Sequence, residues 1–243
     1  MSKRVEPVID DPADERHDRR RQPASPRREP GDRRSETAVD ESRYAKHGGF
    51  PKITPARIGA NFGPFVEAMR TLQDLAVSVD APDEVYGAAL DQARRMIELL
   101  EPYRAPEQQG PAGRAVELPG RGSLLLLPWH TVEAGPDGIV MTGVFRRFHL
   151  GGNAAAHGGV LPLLFDDLLG MIVHYAGRPI SRTAYLHVNY RKVTPLETPL
   201  TVRGRVERIE GRKTFITAEL ADEQGAVLAD CEGLMVQLLP WQP

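Results

Sequence analysis

The chain has a single cysteine in 243 residues, which excludes a disulfide framework and any multi-cysteine metal site. It has no long hydrophobic run: the LLLL of residues 124–127 is far short of the roughly 20 apolar residues that cross a bilayer. It has no excess of either charge, with 31 basic against 33 acidic side chains and a formal net charge of -2. Nucleic-acid binders usually advertise a basic excess, so that class is set aside. The opening stretch MSKRVEPVIDDPADERHDRRRQ lacks the apolar segment of a secretory signal. These absences predict a soluble, cytoplasmic protein with neither membrane nor nucleic acid as partner. What is there suffices for a core: 41% of residues are hydrophobic, and 243 residues allow one or two domains at about 150 residues each.

The averages conceal a break. Residues 1–50 hold 12 Lys/Arg and 11 Asp/Glu, while Val5, Val8, Ile9, Val39, Tyr44 and Phe50 are their only sizeable apolar side chains after the initiator. Such a stretch cannot bury enough surface to offset its ordering entropy, and acids interleave with its arginines, so it reads as a disordered, solvated tail. Residues 51–105 read as a helical hairpin. Phe62, Phe65, Met69, Leu72, Leu75, Ala76 and Val79 recur at helical steps, as do Val85, Ala89, Ala93, Met96, Ile97 and Leu100. Between the two, Asp80 or Asp83 is suited to cap the second helix, with Pro82 in its first turn. Each stripe needs a further surface to pack on. A Pro/Gly-rich linker is predicted over 106–122.

From residue 123 the period becomes that of strands, and residues 123–243 read as one domain. SLLLLPWHTVEA and GIVMTGVFRRFHL flank a GPDG turn, and HGGVLPLLFDDLLGMIVHYA follows, apolar on every face apart from two aspartates, as buried helices are. Then come RTAYLHVNYRKVTP, LTVRGRVERIE, KTFITAELADE and AVLADCEGLMVQLL, each alternating or β-branched and bounded by turn residues. An α+β architecture, an antiparallel sheet wrapped around one long central helix, satisfies that order.

Asn153, then His157-Gly158-Gly159, then Asp166 nine positions after the histidine, then Gly170, then TAYLHVNY over 183–190 and Pro195 form a specific set. In them the chain resembles the hotdog-fold acyl-CoA thioesterases of the phenylacetate-degradation (PaaI-like) group, over roughly residues 120–240. The resemblance implies hydrolysis of an acyl-CoA to a carboxylic acid and CoA, with no cofactor and no metal. It implies catalytic roles for Asp166, Gly158, His157, Asn153 and Thr183, with the Gly158 amide as oxyanion donor and Thr183 aligned with a residue that positions the attacking water.

Each position has a physical reading. Amides at a helix start lack intrahelical partners and share the positive end of the dipole, which suits an oxyanion at Gly158, and glycine lets substrate approach the main chain. A carboxylate in so apolar a helix is expected to be buried with a raised pKa, fit to act as general base or as nucleophile through a mixed anhydride. His157 caps the helix, orients a neighbour or moves a proton; Asn153 holds the loop or contacts the acyl carbonyl. Asp167, about 100° around the helix, reads as a structural hydrogen-bond or salt-bridge residue. His157 and Asp166 stand about 13 Å apart on opposite helix faces, so one carbonyl within one subunit cannot meet both. Two copies with antiparallel helices across a two-fold axis can share sites, so a homodimer or dimer of dimers is expected, and a monomeric variant should not turn over.

Gly159 is a further substrate contact, and Arg191, Lys192, Arg212 and Lys213 are candidates for the CoA phosphates. His149, His174 and His187 have no metal-ligand spacing, and Cys231 reads as a small core or sheet residue. Two other classes remain open: a non-catalytic acyl-CoA-binding hotdog protein acting as sensor or partner module, and a hotdog hydratase or dehydratase, whose histidine and acid arrangement is not found.

Overall fold

A computed structural model describes residues 56–106 and 109–239; the charged stretch read as a tail lies outside them. Alternation in the C-terminal strands dictates the architecture. In β6 (Leu200–Glu210), Leu200, Val202 and Gly204 turn inward while Arg203 and Arg205 face out. β7 (Lys213–Asp222) buries Thr214, Ile216, Ala218 and Leu220 on the same face. With β1 (His130–Gly135), β2 (Gly138–Gly143), β5 (Ser181–Tyr190) and β8 (Val227–Gln237) they form a six-stranded antiparallel sheet in the order β1-β2-β6-β7-β8-β5. Short β3 (Leu150–Gly152) and β4 (Ala155–Ala156) form a separate two-stranded ribbon.

The helix after that ribbon, Val160–Tyr175, lays Leu161, Leu164, Phe165, Leu168, Leu169, Ile172 and Val173 onto the sheet. Burying each contributes about 1.5–3 kcal/mol relative to exposure. Two strand glycines mark the crossing. A Cβ at Gly204 would stand 2.7 Å from Ile172 Cδ1, and one at Gly233 would stand 2.0 Å from Leu169 Cδ2. A side chain at either place would force the facing helix side chain to shift. Pro162 is its third residue, inside the first turn, where a missing N–H costs no intrahelical bond. Gly177, at φ +65°, ends it, with the Arg178 N–H donating to the Val173 carbonyl at 3.0 Å.

The chain departs from expectation in several places. The leucine run over 124–127 is not part of a strand. The Ser123 hydroxyl accepts the Leu125 N–H at 3.2 Å and Pro128 has no N–H to give a ladder, so pairing starts only at His130. Leu127 and Trp129 are buried from this bend, while Leu125 stays exposed. Nor is the central helix buried on every face: Asp166 and Gly170, one turn apart, are exposed.

The two N-terminal helices, α1 (Phe62–Ala76) and α2 (Asp83–Leu100), form as expected; the central helix is therefore α3. Pro82 precedes α2 as its N-cap and neither aspartate caps it, because Pro82 supplies its carbonyl to the Val85 and Tyr86 N–H groups instead. Among the described residues the apolar stripes stay largely uncovered: α1 buries only Val66 and Arg70, and α2 buries nothing. Arg70 donates to the carbonyls of Pro119 (2.9 Å) and Ser123 (3.0 Å), packing the Pro/Gly-rich segment onto α1 with Ala115 fully buried.

Candidate active site

α3 and β5 place the predicted residues. Leu186, Val188 and Tyr190 alternate along β5, and strict alternation would turn odd-numbered Thr183 to the other face. A bulge between Thr183 and Tyr185 inserts one residue and restores Thr183 to the helix side. There its hydroxyl donates to Asp166 Oδ1 at 2.7 Å, with Met235 Sδ a weaker neighbour at 3.2 Å. The single hydroxyl proton goes to the charged acceptor, which fixes one carboxylate oxygen and leaves the other facing outward. Asp166 is expected to be buried; among the described residues it lies beside the β5 edge of the sheet and is exposed.

At the other end of the exposed face lies the helix start. The Gly158 N–H has no hydrogen-bond partner among the described residues. The Gly159 N–H is taken by His157 Nδ1 at 3.0 Å, so His157 acts as the capping acceptor and Gly159 has no free amide to offer. The Gly158 carbonyl would ordinarily accept from residue 162 of the helix. Pro162 has no N–H, and the Tyr190 hydroxyl donates to that carbonyl instead, at 2.8 Å. Gly158 and Asp166 are thus about 12 Å apart along one helix, and no single carbonyl reaches both.

A bracket invisible in the sequence holds the approach to this helix start. The His157 N–H donates to the His149 carbonyl at 2.7 Å, and His149 Nδ1 accepts the Arg146 N–H at 3.0 Å. Arg146 Nε donates in turn to Asp74 Oδ2 on α1 at 2.6 Å, and its guanidinium also pairs with Glu67. The Phe148 N–H donates to Asp74 Oδ1 at 3.0 Å. Burial holds the His149 imidazole below its usual pKa, with Asp74 opposing and Arg146 reinforcing that shift. Asp167 forms a two-pronged ion pair with Arg121, the structural role expected of it. No pattern in the sequence points to Asp74, Glu67, Arg146 or Arg121, which act across gaps of 46 to 79 positions.

The remaining predicted residues are not all brought together. Asn153 and Ala154, at φ +51° and +58°, form the tip of the β3–β4 ribbon, where asparagine suits the left-handed backbone; Asn153 is exposed. The four basic residues sit at opposite ends of the sheet. β5 and β7 both run antiparallel to β8, so Arg191 and Lys192 lie beside Leu228, and Arg212 and Lys213 beside Gln237 and Val236. Arg191 is paired with Asp230, whose carboxyl that guanidinium draws below its usual pKa, and Arg212 donates to the Gln237 carbonyl at 2.9 Å. Lys192 is exposed. Cys231 is buried, and burial pushes its thiol up to about 12. Among the described residues no three His, Cys, Asp or Glu are placed to hold a metal ion, and no helix is long and apolar enough to cross a membrane. A groove of about 970 Å3 lies on the outer face of the sheet, lined by residues such as Arg203, Tyr185 and Glu219; it does not include Gly158, Asp166 or Thr183.

A sequence model of the thioesterase superfamily matches residues 153–229, the stretch from the ribbon tip to β8. Acyl-coenzyme A thioesterase THEM4 from Rattus norvegicus is 30% identical over 88 residues, covering 36% of this chain and 37% of that protein. The Mus musculus protein of the same name is 27% identical over 88 residues, with the same coverage. The chain thus matches little more than a third of the length of these curated relatives. The crystal structure of a thioesterase superfamily protein superposes with a TM-score of 0.66 at 23% identity, covering 76% of this chain and 94% of that one. That agreement extends the shared fold beyond the family match. Residues 153–229 thus match the thioesterase superfamily, and the sheet wrapped on α3 has the hotdog fold of a solved member of it.

Proposed function

We propose that the protein is an acyl-CoA thioesterase of the PaaI-like group, with sites shared between two copies. The observation that carries the reading is the exposed face of α3, which presents an unpartnered Gly158 amide at its start and, about two turns on, a carboxylate oriented by Thr183. These are the two groups that thioester hydrolysis needs. The amide, at the positive end of the helix dipole, takes the charge that develops on the thioester oxygen. Asp166 either draws a proton from water as that water adds to the carbonyl carbon, or attacks the carbon itself to form a mixed anhydride that water then opens. In both routes the C–S bond breaks, the acid is released, and the sulfur leaves as the thiol of CoA after taking up a proton.

Two copies packed with antiparallel α3 helices bring Gly158 of one chain to Asp166 of the other and cover the exposed carboxylate, supplying the desolvation that one chain lacks. Arg191 is committed to Asp230, so Lys192, two residues beyond Tyr190, is the basic residue proposed for a CoA phosphate. The test is thiol release across short, long and aromatic acyl-CoAs, for wild type and Asp166→Asn, with the oligomer checked by light scattering. Wild-type release reduced at least a hundredfold in the variant supports the reading. Equal rates in the two proteins remove Asp166 from the chemistry, and saturable acyl-CoA binding with no release favours a binding module instead.

A further inference from the structure

We infer that Tyr190 is a positioning residue that aims the Gly158 amide, an inference that rests on the thioesterase reading above. Gly158 has no Cβ to restrict its rotation and stands outside the regular helix, so the direction of its N–H depends on the two peptide planes that meet there: the Val160 N–H holds the first at the His157 carbonyl, at 2.9 Å, and the second ends in the Gly158 carbonyl. Its carbonyl would be held by the N–H of residue 162 in an ordinary helix, and Pro162 removes that donor. The Tyr190 hydroxyl takes its place at 2.8 Å, and the tyrosine ring lies 3.7 Å from the position a Gly158 Cβ would occupy. Gly158 is therefore braced at its carbonyl, while the amide is left open.

The brace is itself fixed. Leu186 and Val188, on the same side of β5, pack against the core, and the Arg191 and Lys192 N–H groups both donate to the Leu228 carbonyl, at 2.8 and 2.9 Å. The same strand carries Thr183, so β5 orients both chemical groups of α3: the carboxylate through Thr183 and the amide through Tyr190. Tyr190 is 55% exposed, and a hydrogen bond open to solvent adds little to folding stability. Its loss is expected to show in turnover and not in melting.

The experiment compares wild type, Tyr190→Phe and Tyr190→Phe/Pro162→Ala in thiol release from a cleaved acyl-CoA. Tyr190→Phe should lower kcat about tenfold with KM within about twofold and an unchanged melting temperature, because a misaimed donor costs only the transition state. Pro162→Ala returns an N–H to the Gly158 carbonyl, so the double variant should recover most of the lost kcat. Wild-type kcat in Tyr190→Phe, a loss confined to KM, or a loss the second change does not recover overturns the inference. If wild type cleaves no acyl-CoA, the thioesterase reading fails separately, and the brace is judged by the 13C shift of the Gly158 carbonyl in glycine-labelled protein. That shift must move upfield in Tyr190→Phe and return in the double variant; an unmoved signal overturns it.

Discussion

Replacing Asp74 with alanine tests whether helix α1 belongs to the scaffold of the site. Asp74 accepts from Arg146 Nε at 2.6 Å and from the Phe148 N–H at 3.0 Å, and its side chain is only 18% exposed. A hydrogen bond to a charged group contributes about 1.5–3 kcal/mol net. Partial exposure and the surviving contact of Arg146 with Glu67 trim the two bonds together, so the expected loss is about 2 kcal/mol. For a chain of this size that lowers the melting temperature by about 4–8 °C. The turn over 146–149 also passes its His149 carbonyl to His157 beside Gly158, so thiol release should fall at temperatures where the variant is still folded. Asp74→Asn, which keeps an acceptor for the Phe148 N–H, should lose less of both. Melting of Asp74→Ala within about 1 °C of wild type would refute the reasoning, because the bracket would then carry no net energy.

Two further predictions follow from titratable groups. Burial lowers the His149 pKa below its ordinary 6.5, so the unfolded chain binds a proton that the folded one resists. Stability is then complete above that value and declines as pH falls through it; urea unfolding at pH 5.5 and 8 should show the decline in wild type and a flatter profile in His149→Asn, whose amide oxygen still accepts the Arg146 N–H. An equal decline in both proteins rejects His149 as the source. Cys231, buried with its thiol pushed up to about 12, should resist a disulfide labelling reagent at pH 8 until the protein unfolds; stoichiometric labelling of the native protein contradicts its placement.

Most of the sheet and α3 were legible because each answers to one local pattern: alternation in β6 and β7, and a segment apolar on every face apart from two aspartates. The HGG-to-Asp166 spacing and Thr183 were legible through a resemblance, and the structure supplies the bulge that turns Thr183 toward Asp166. What stayed hidden depends on partners distant in sequence. The exposure of Asp166 follows from its place beside the β5 edge of the sheet. Asp74 meets Arg146 across 72 positions, and nothing near either residue announces the pair. Tyr190 reads as an ordinary strand aromatic until Pro162 is seen to leave a carbonyl unserved. The leucines over 124–127 misled for the opposite reason: their local β signal is strong, and Ser123 and Pro128 cancel it.

The central claim is a thioesterase site completed by two chains, and complementation tests it most directly. One chain carries Asp166→Asn; the other carries Gly158→Pro, which removes the amide hydrogen. Each parent protein alone should release no thiol from an acyl-CoA that wild type cleaves. Co-expressed, half of the dimers are mixed and each mixed dimer regains one of two sites, so about a quarter of wild-type activity should return. A mixture no more active than its parents, with mixed dimers present, would contradict the account.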